Sequence, residues 1–231
     1  MKALSIDCAV SRLMISAKND DKIFTSIYDI GMKQSESIVP AIDYALEKVL
    51  LSPSELDYTA ITLGPGSFTG LRLGISAVKA IELAYNVPVY GISTLTMHAY
   101  CFKDFELPVL AAIDANKNKY YANLSDKNKT IMKDGDWDTD IIIKNVKKIK
   151  KLIVCGPDAN KLKDIIIAQN KKIKILTPKT NIVTAEALFS IAEDMISKNQ
   201  PGIKDFDGPL YLRASEAEIV KNSKHSRSVI K

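Results

Sequence analysis

Three glycines spaced by four residues, Gly66, Gly70 and Gly74, stand where a predicted strand gives way to a predicted helix. At this spacing they share one helical face, along which a second backbone can approach closely. The turn at Pro65 and Gly66 leaves amide N–H groups free at the start of the helix. The segment is therefore built either to receive an anion or to pack tightly against a second helix.

The segment matches neither of two common glycine motifs. A P-loop requires a Gly-Lys pair after four spacer residues, but Thr69 stands five residues after Gly64 and no Gly-Lys pair follows Gly70. A nucleophile elbow requires Gly-x-Ser-x-Gly, whereas Ser67 follows directly after a glycine. We therefore predict that Ser67 or Thr69 caps the helix through its side-chain oxygen and is not a nucleophile.

The composition is that of a globular protein. The chain has 231 residues, of which 46% are apolar, enough to bury a core in one large or two small units. Its first residues reach a charge too early for a signal-peptide core, and no apolar run approaches the roughly 20 residues of a membrane span. Three widely spaced cysteines favour neither a disulfide framework nor a zinc site. We expect a cytoplasmic protein that does not bind membranes.

Lysine and arginine exceed the acidic residues by 32 to 27, and the surplus gathers late in the chain. It lies in three runs, at 144–151, 171–174 and 221–227. Such runs are usually solvated faces or tails, and so modest a net charge permits contact with a nucleic acid backbone without demonstrating it.

Hydrophobic periodicity predicts alternating strands and helices in both halves of the chain. The first half is predicted to contain three strands at 2–8, 11–18 and 22–29, a helix at about 35–51, a strand near 57–63, the glycine helix to about 85, a strand at 87–92 and a short helix from Ser93 or Thr94. The second half is predicted to contain strands at 109–113, 120–124, 152–155 and 173–176, a helix at 158–169 and a last helix from about Thr184 to Ser197. This order predicts two α/β lobes, 1–103 and 104–212, and a polar basic tail, 213–231.

Asp7 ends the first strand and Asp114 ends a corresponding strand of the second half, which resembles the actin, sugar kinase and Hsp70 superfamily. More closely, the chain resembles the TsaB (YeaZ) family of tRNA threonylcarbamoyladenosine (t6A) biosynthesis. The matching stretches are 4–7, 34–40, 64–74, 89–95, 111–115 and 211–213. Five of the six stretches lie within the first 125 residues, and the resemblance thins out afterwards. The resemblance implies a two-lobed actin-like, ribonuclease H-like α/β fold with a reduced second lobe.

The resemblance also implies a non-catalytic partner protein. In that family's system, the structurally related subunit TsaD is the catalyst and acts with the small ATPase TsaE on adenosine 37 of tRNAs that read codons beginning with A. ATP and metal belong to those partners, so this chain is expected to bind no cofactor and to meet tRNA through the complex. Its two histidines, His98 and His225, are too far apart for the His-x-x-x-His metal pair of TsaD-like proteins.

Asp7 and Asp114 are the candidate residues of a degenerate nucleotide site, as magnesium-water ligands. Alternatively, each carboxylate fixes a turn at the end of its strand. We favour the turn, because Cys8-Ala9-Val10 lacks the glycines that let backbone amides wrap phosphates in a working kinase. A small ATPase or a glycoprotease-like enzyme remains the alternative function, although it would require competent phosphate loops or an activated nucleophile. A sequence-independent RNA binder is a third alternative, supported by the basic tail alone.

The predicted partner interface lies on the first two long helices, where small and apolar residues share one side. These residues are Ile38, Ile42 and Leu46 on the first helix and Gly66, Gly70, Gly74, Ala77 and Ile81 on the second. By resemblance, TsaB-like proteins use these helices in a four-helix contact with TsaD or, when alone, with a second copy of themselves. The alternative is that the glycines pack against this protein's own sheet.

Overall fold

A computed structural model describes residues 1–29, 33–127, 129–178, 184–204 and 207–212. The elements of the first half are β1 (Lys2–Asp7), β2 (Leu13–Asn19), β3 (Lys22–Tyr28), α1 (Gln34–Lys48), β4 (Tyr58–Gly64), α2 (Phe68–Tyr85), β5 (Val89–Ser93) and α3 (Thr94–Tyr100). Those of the second half are β6 (Val109–Asp114), β7 (Lys119–Asp126), β8 (Lys129–Asp138), α4 (Thr139–Val146), β9 (Lys151–Cys155), α5 (Ala159–Gln169), β10 (Lys174–Leu176) and α6 (Ala185–Ser197).

The two halves of the chain build five-stranded sheets with the same strand order. The first sheet runs β3-β2-β1-β4-β5 and the second β8-β7-β6-β9-β10. In each sheet three antiparallel strands are followed by two strands parallel to the central one. The predicted two-lobed α/β fold is confirmed. The second lobe is reduced in its helices, since α4 and α5 have 8 and 11 residues against 15 and 18 in α1 and α2.

Local chemistry accounts for the bounds of α2. The Ser67 side chain accepts a hydrogen bond from the Gly70 amide at 3.2 Å, which satisfies one N–H group of the first turn. The helix ends at Tyr85 and is capped by Asn86, whose φ of 58° is left-handed, a conformation that asparagine tolerates better than most residues. The predicted cap by Ser67 is therefore confirmed.

Two helices pack across the boundary between the lobes. Helix α3 lies between both sheets, since Leu95 belongs to one apolar cluster with Val109 of β6 and Met97 to another with Tyr58 of β4. Helix α6 follows the second sheet but packs on the first, where Leu188 and its neighbours bury apolar surface against Tyr58 of β4. By its packing α6 lies with the first lobe, although the prediction placed it in 104–212. The boundary between 103 and 104 stays a prediction.

The chain after α6 also lies on the first lobe. The Ile203 amide donates to the Val89 carbonyl at 2.8 Å and the Leu210 amide to the Leu63 carbonyl at 2.7 Å. This C-terminal strap, residues 201–204 and 207–212, covers the outer edge of the first sheet. The predicted tail at 213–231 lies outside the described residues. Among the described helices, none is long and apolar enough to cross a lipid bilayer.

Candidate functional site

Asp7 lies at the carboxyl end of β1, where the two lobes meet. Its Oδ1 accepts hydrogen bonds from the Ala9 amide at 3.1 Å and from the Thr62 hydroxyl at 3.0 Å, and its Oδ2 from the Thr184 hydroxyl at 3.4 Å. The residue is only 6% exposed. These bonds fix the turn after β1 and tie it to β4 and to the start of α6.

Asp114 occupies the matching position at the end of β6. Its Oδ1 accepts a hydrogen bond from the Asn116 amide at 2.8 Å, which forms the same two-residue turn that Asp7 makes with Ala9. Its Oδ2 accepts a hydrogen bond from the Lys161 ammonium group. Burial opposes ionisation of this carboxyl, but the hydrogen bonds from Lys161 and from the Asn116 amide outweigh it and hold its pKa below the usual value. Both aspartates thus fix strand-end turns. A role of either as a magnesium-water ligand stays a prediction.

The start of α2 is occupied by this chain's own backbone. The Ser67 amide donates to the Ala9 carbonyl at 2.6 Å. A side chain at Gly66 would collide with that carbonyl, and one at Gly70 with the carbonyl of Cys8. The loop after Asp7 therefore takes up one of the amide groups at the start of the helix. That this chain binds no cofactor stays a prediction.

The residues predicted to form the partner interface would have to be exposed. Most of them are not. Six of the eight residues are buried within this chain, with Ile38, Ile42 and Leu46 in the core between α1 and the first sheet. Gly70, Gly74 and Ile81 are likewise buried, whereas Gly66 and Ala77 are half-buried. The glycines face the end of β1, because α2 can approach the sheet so closely only without side chains. Binding of a partner by α1 and α2 stays a prediction.

A cleft between the lobes, the histidine cleft, contains Asp7, Arg12, His98, Asn160 and Thr184 among its lining and has a volume of about 510 Å³. The Nε2 atom of His98 is buried and has no hydrogen-bond partner among the described residues. Burial lowers the pKa of His98 below its ordinary value, and the negative charge of Asp7 opposes that shift. The ring is therefore neutral at pH 7. The sequence gives no sign of the place of His98 beside Asp7, since no local pattern connects α3 with β1.

A second and larger cleft, the aromatic cleft, lies beside the start of α2, with a volume of about 850 Å³. Phe68 and Tyr211 stack on its rim with ring centroids 5.0 Å apart. The Arg72 guanidinium lies 3.9 Å from the Phe68 ring centroid and its Nε donates to the Tyr211 hydroxyl at 3.1 Å. Arg72 thus joins α2 to the C-terminal strap and is held by contacts within the chain.

The described residues contain no group of three or more histidine, cysteine or acidic side chains arranged to hold a metal ion. The cysteines are also poor nucleophiles. Burial raises the pKa of Cys8 to about 12 and that of Cys101 to about 11, and it raises the pKa of Cys155 as well.

Comparison with known proteins gives the family. The model of the family described as TsaD: tRNA N6-adenosine threonylcarbamoyltransferase matches residues 31–206. The chain belongs to this family. Within it, the similar curated proteins include several that are named tRNA threonylcarbamoyladenosine biosynthesis protein TsaB. The predicted membership of the TsaB/YeaZ family is confirmed.

The TsaB relatives differ in how much of the chain they match. The protein of Buchnera aphidicola subsp. Schizaphis graminum is 27% identical over 183 residues, which cover 76% of this chain and 87% of the relative. That of Escherichia coli is 32% identical over 52% of this chain and 53% of its own length. A solved structure described as YeaZ from Pseudomonas aeruginosa superimposes with a TM-score of 0.68 at 18% identity, over 91% of this chain and 99% of that one. This structural likeness shows the fold alone.

Proposed function

We propose that this chain is a non-catalytic subunit of t6A biosynthesis. It binds the catalytic subunit TsaD, works with TsaE, and supports threonylcarbamoylation of adenosine 37 in tRNAs that read codons beginning with A. ATP and metal are used by the partner subunits. Membership of the family and the names of the TsaB relatives support the pathway.

The observation that carries the non-catalytic role is the 2.6 Å hydrogen bond from the Ser67 amide to the Ala9 carbonyl. It uses a helix-start amide that a phosphate-binding loop would offer to its ligand. Asp7 and Asp114 are likewise engaged in turns at the ends of their strands. A protein whose loops are closed in this way is suited to hold a partner in place.

The surface proposed for TsaD is the outward side of α1 and α2, opposite the buried side of each helix. Large apolar residues exposed on these helices include Val39 on α1 and Leu83 on α2. Leu83 is 91% exposed, the highest value among them. Two adjacent helices with such side chains can receive two helices of a partner by ridge-into-groove packing. In the absence of TsaD, the same face would serve a second copy of this chain.

Omission from a reconstituted reaction tests the pathway. Purified TsaD, TsaE and the enzyme that supplies the threonylcarbamoyl group are incubated with tRNA, with and without this chain, and t6A is measured by mass spectrometry. Synthesis that depends on this chain supports the proposal, and synthesis that proceeds equally without it refutes the role.

An enzymatic function is the second candidate, because the matching family model carries the name of the transferase. ATP turnover by the pure chain, abolished in Asp7→Ala, would favour it over a scaffold. We expect no turnover above that of a blank reaction.

The proposed contact surface is tested with a pair of charge substitutions. Leu83→Glu places a carboxylate on the proposed surface without touching the core, so TsaD binding should weaken roughly tenfold or more while the melting temperature stays unchanged. Ile131→Glu, on an exposed residue of the second lobe, is the control and should bind TsaD normally. Equal binding by both variants would exclude this surface.

A further inference from the structure

The second lobe carries a basic patch that is assembled from two separate lysine runs. Its eight lysines are Lys144, Lys147, Lys148, Lys150, Lys151, Lys171, Lys172 and Lys174, and all are exposed. Backbone pairing joins the runs. Lys174 of β10 lies opposite Lys151 of β9, and its amide donates to the Lys150 carbonyl at 2.9 Å. The Asn170 side chain donates to the Lys147 carbonyl at 3.4 Å, which ties the second run to the end of α4.

The charge of this patch is uncompensated within the described part of the chain. None of its eight lysines takes part in the ion pairs found there. The sequence explains why, since 141–157 and 165–178 contain no aspartate or glutamate. Eight like charges on one small surface repel one another and hold a layer of mobile counterions. A polyanion would release those counterions on binding.

The patch is separate from both clefts. Strand β9 runs parallel to β6, with Ile153 opposite Val109, so Lys151 lies beyond the amino end of β6. Asp114 and the aromatic cleft lie at the carboxyl end of β6. At about 3.3 Å per residue the two ends are roughly 20 Å apart along the strand. The patch and the aromatic cleft therefore lie toward opposite ends of the second sheet.

We infer that this basic patch binds the phosphate backbone of RNA. The choice of RNA among polyanions rests on the proposed role in tRNA modification. Lysine is a flexible point charge that neutralises phosphate without reading bases. The two lysine runs contain no arginine that could bind a base through two hydrogen bonds and no aromatic residue on which a base could stack. The contact is therefore independent of sequence and sensitive to salt. It orients the tRNA, while selection of the modified base belongs to the catalytic partner.

Four substitutions in the patch and four matched substitutions elsewhere test this inference. The patch variant carries Lys147→Gln, Lys150→Gln, Lys171→Gln and Lys174→Gln. The control variant carries Lys22→Gln, Lys48→Gln, Lys129→Gln and Lys133→Gln, which are also exposed and remove the same charge. Exposed substitutions of this kind change stability little, so both variants should fold.

Binding of a fluorescent tRNA transcript to each purified chain is measured by anisotropy across salt concentrations. We expect the patch variant to bind tRNA at least roughly tenfold more weakly. The slope of the logarithm of its binding constant against the logarithm of the salt concentration should be shallower by about 3, because each lost phosphate contact removes about 0.7–0.9. The control variant should behave as the unsubstituted chain does. Unchanged binding by the patch variant, or equal losses in both variants, would overturn the inference.

Two further measurements distinguish RNA binding from membrane binding and from a failure of the t6A role. Patch-dependent binding to mixed phosphatidylcholine–phosphatidylserine vesicles without binding to tRNA would assign the patch to a membrane surface and overturn the RNA proposal. A failure of the proposed t6A role appears instead in the omission assay with the unsubstituted chain. The two proposals can therefore fail independently.

Discussion

The thiol of Cys8 donates a hydrogen bond to the carbonyl oxygen of Gly70 at 2.9 Å. This contact joins the residue after β1 to the first turn of α2, and it exists because the helix lies against the strand end without an intervening side chain. The Cys8 sulfur also occupies the position that a side chain at Gly74 would take. The glycines of α2 thus fix the distance between the helix and the first sheet.

Substitutions at these glycines should destabilise the fold. A methyl group at Gly70 meets the rigid backbone carbonyl of Cys8, and Gly70→Ala is expected to lower the free energy of unfolding by about 1–3 kcal/mol. Gly74→Leu should cost more, because Ile61 also lies 2.8 Å from the added carbon. Gly208→Ala is the control, since nothing lies within 4 Å of its added carbon. Urea denaturation gives all three values, and a fully stable Gly74→Leu chain would contradict the close packing.

The three thiols should resist alkylation in the folded protein. The raised pKa of Cys8, about 12, and of Cys101, about 11, leaves almost no thiolate at pH 8. Iodoacetamide followed by mass spectrometry should show slow labelling of the native chain, with half-buried Cys101 modified first, and three labelled thiols after unfolding in urea. Rapid native labelling of Cys8 would show that the contact between β1 and α2 opens readily.

Stability should fall in mild acid because of His98. Its pKa in the folded protein lies below the ordinary value of 6.5, so the unfolded chain binds the proton more readily. The contribution of neutral His98 to the free energy of unfolding is fully present above about pH 6.5 and is lost as the pH falls below that value. The free energy of unfolding then changes by at most about 1.4 kcal/mol per pH unit. Urea midpoints of His98→Gln should depend less on pH between 5 and 7 than those of His225→Gln. Identical slopes in the two variants would exclude His98 as the source.

Truncated chains should show that the C-terminal strap stabilises the fold and that the tail does not. A chain that stops after 213 is expected to melt as the full chain does, because the apolar residues of the tail are too few and scattered to bury a face. A chain that stops after 200 loses the strap bonds to Val89 and Leu63 and the apolar contact of Ile203. At about 0.5–1.5 kcal/mol for each hydrogen bond, it should unfold at clearly lower temperature in differential scanning fluorimetry. Equal melting of both truncated chains would contradict a stabilising strap.

Local signals in the sequence were sufficient for most of the fold. The glycine helix was predicted to end near 85 and ends at Tyr85, and the last helix was predicted from about Thr184 to Ser197 and spans Ala185–Ser197. These elements have clear periodicity and end signals. Strand β8 and helix α4 were not predicted. Strand β8 is an edge strand with mostly polar residues and a single buried one, Met132, so that little alternation is visible in its sequence.

The sequence alone determined the order of the elements other than β8 and α4, the helix cap at Ser67, the turn-forming aspartates and the family, because each depends on neighbouring residues or on a contiguous motif. Only the tertiary structure decided which side of α1 and α2 is buried, since both sides carry small or apolar residues. It also decided that α6 packs on the first lobe, that His98 lies beside Asp7, and that the lysine runs at 144–151 and 171–174 form one surface. These contacts join residues far apart in the chain, and the packing of whole sheets and helices brings them together.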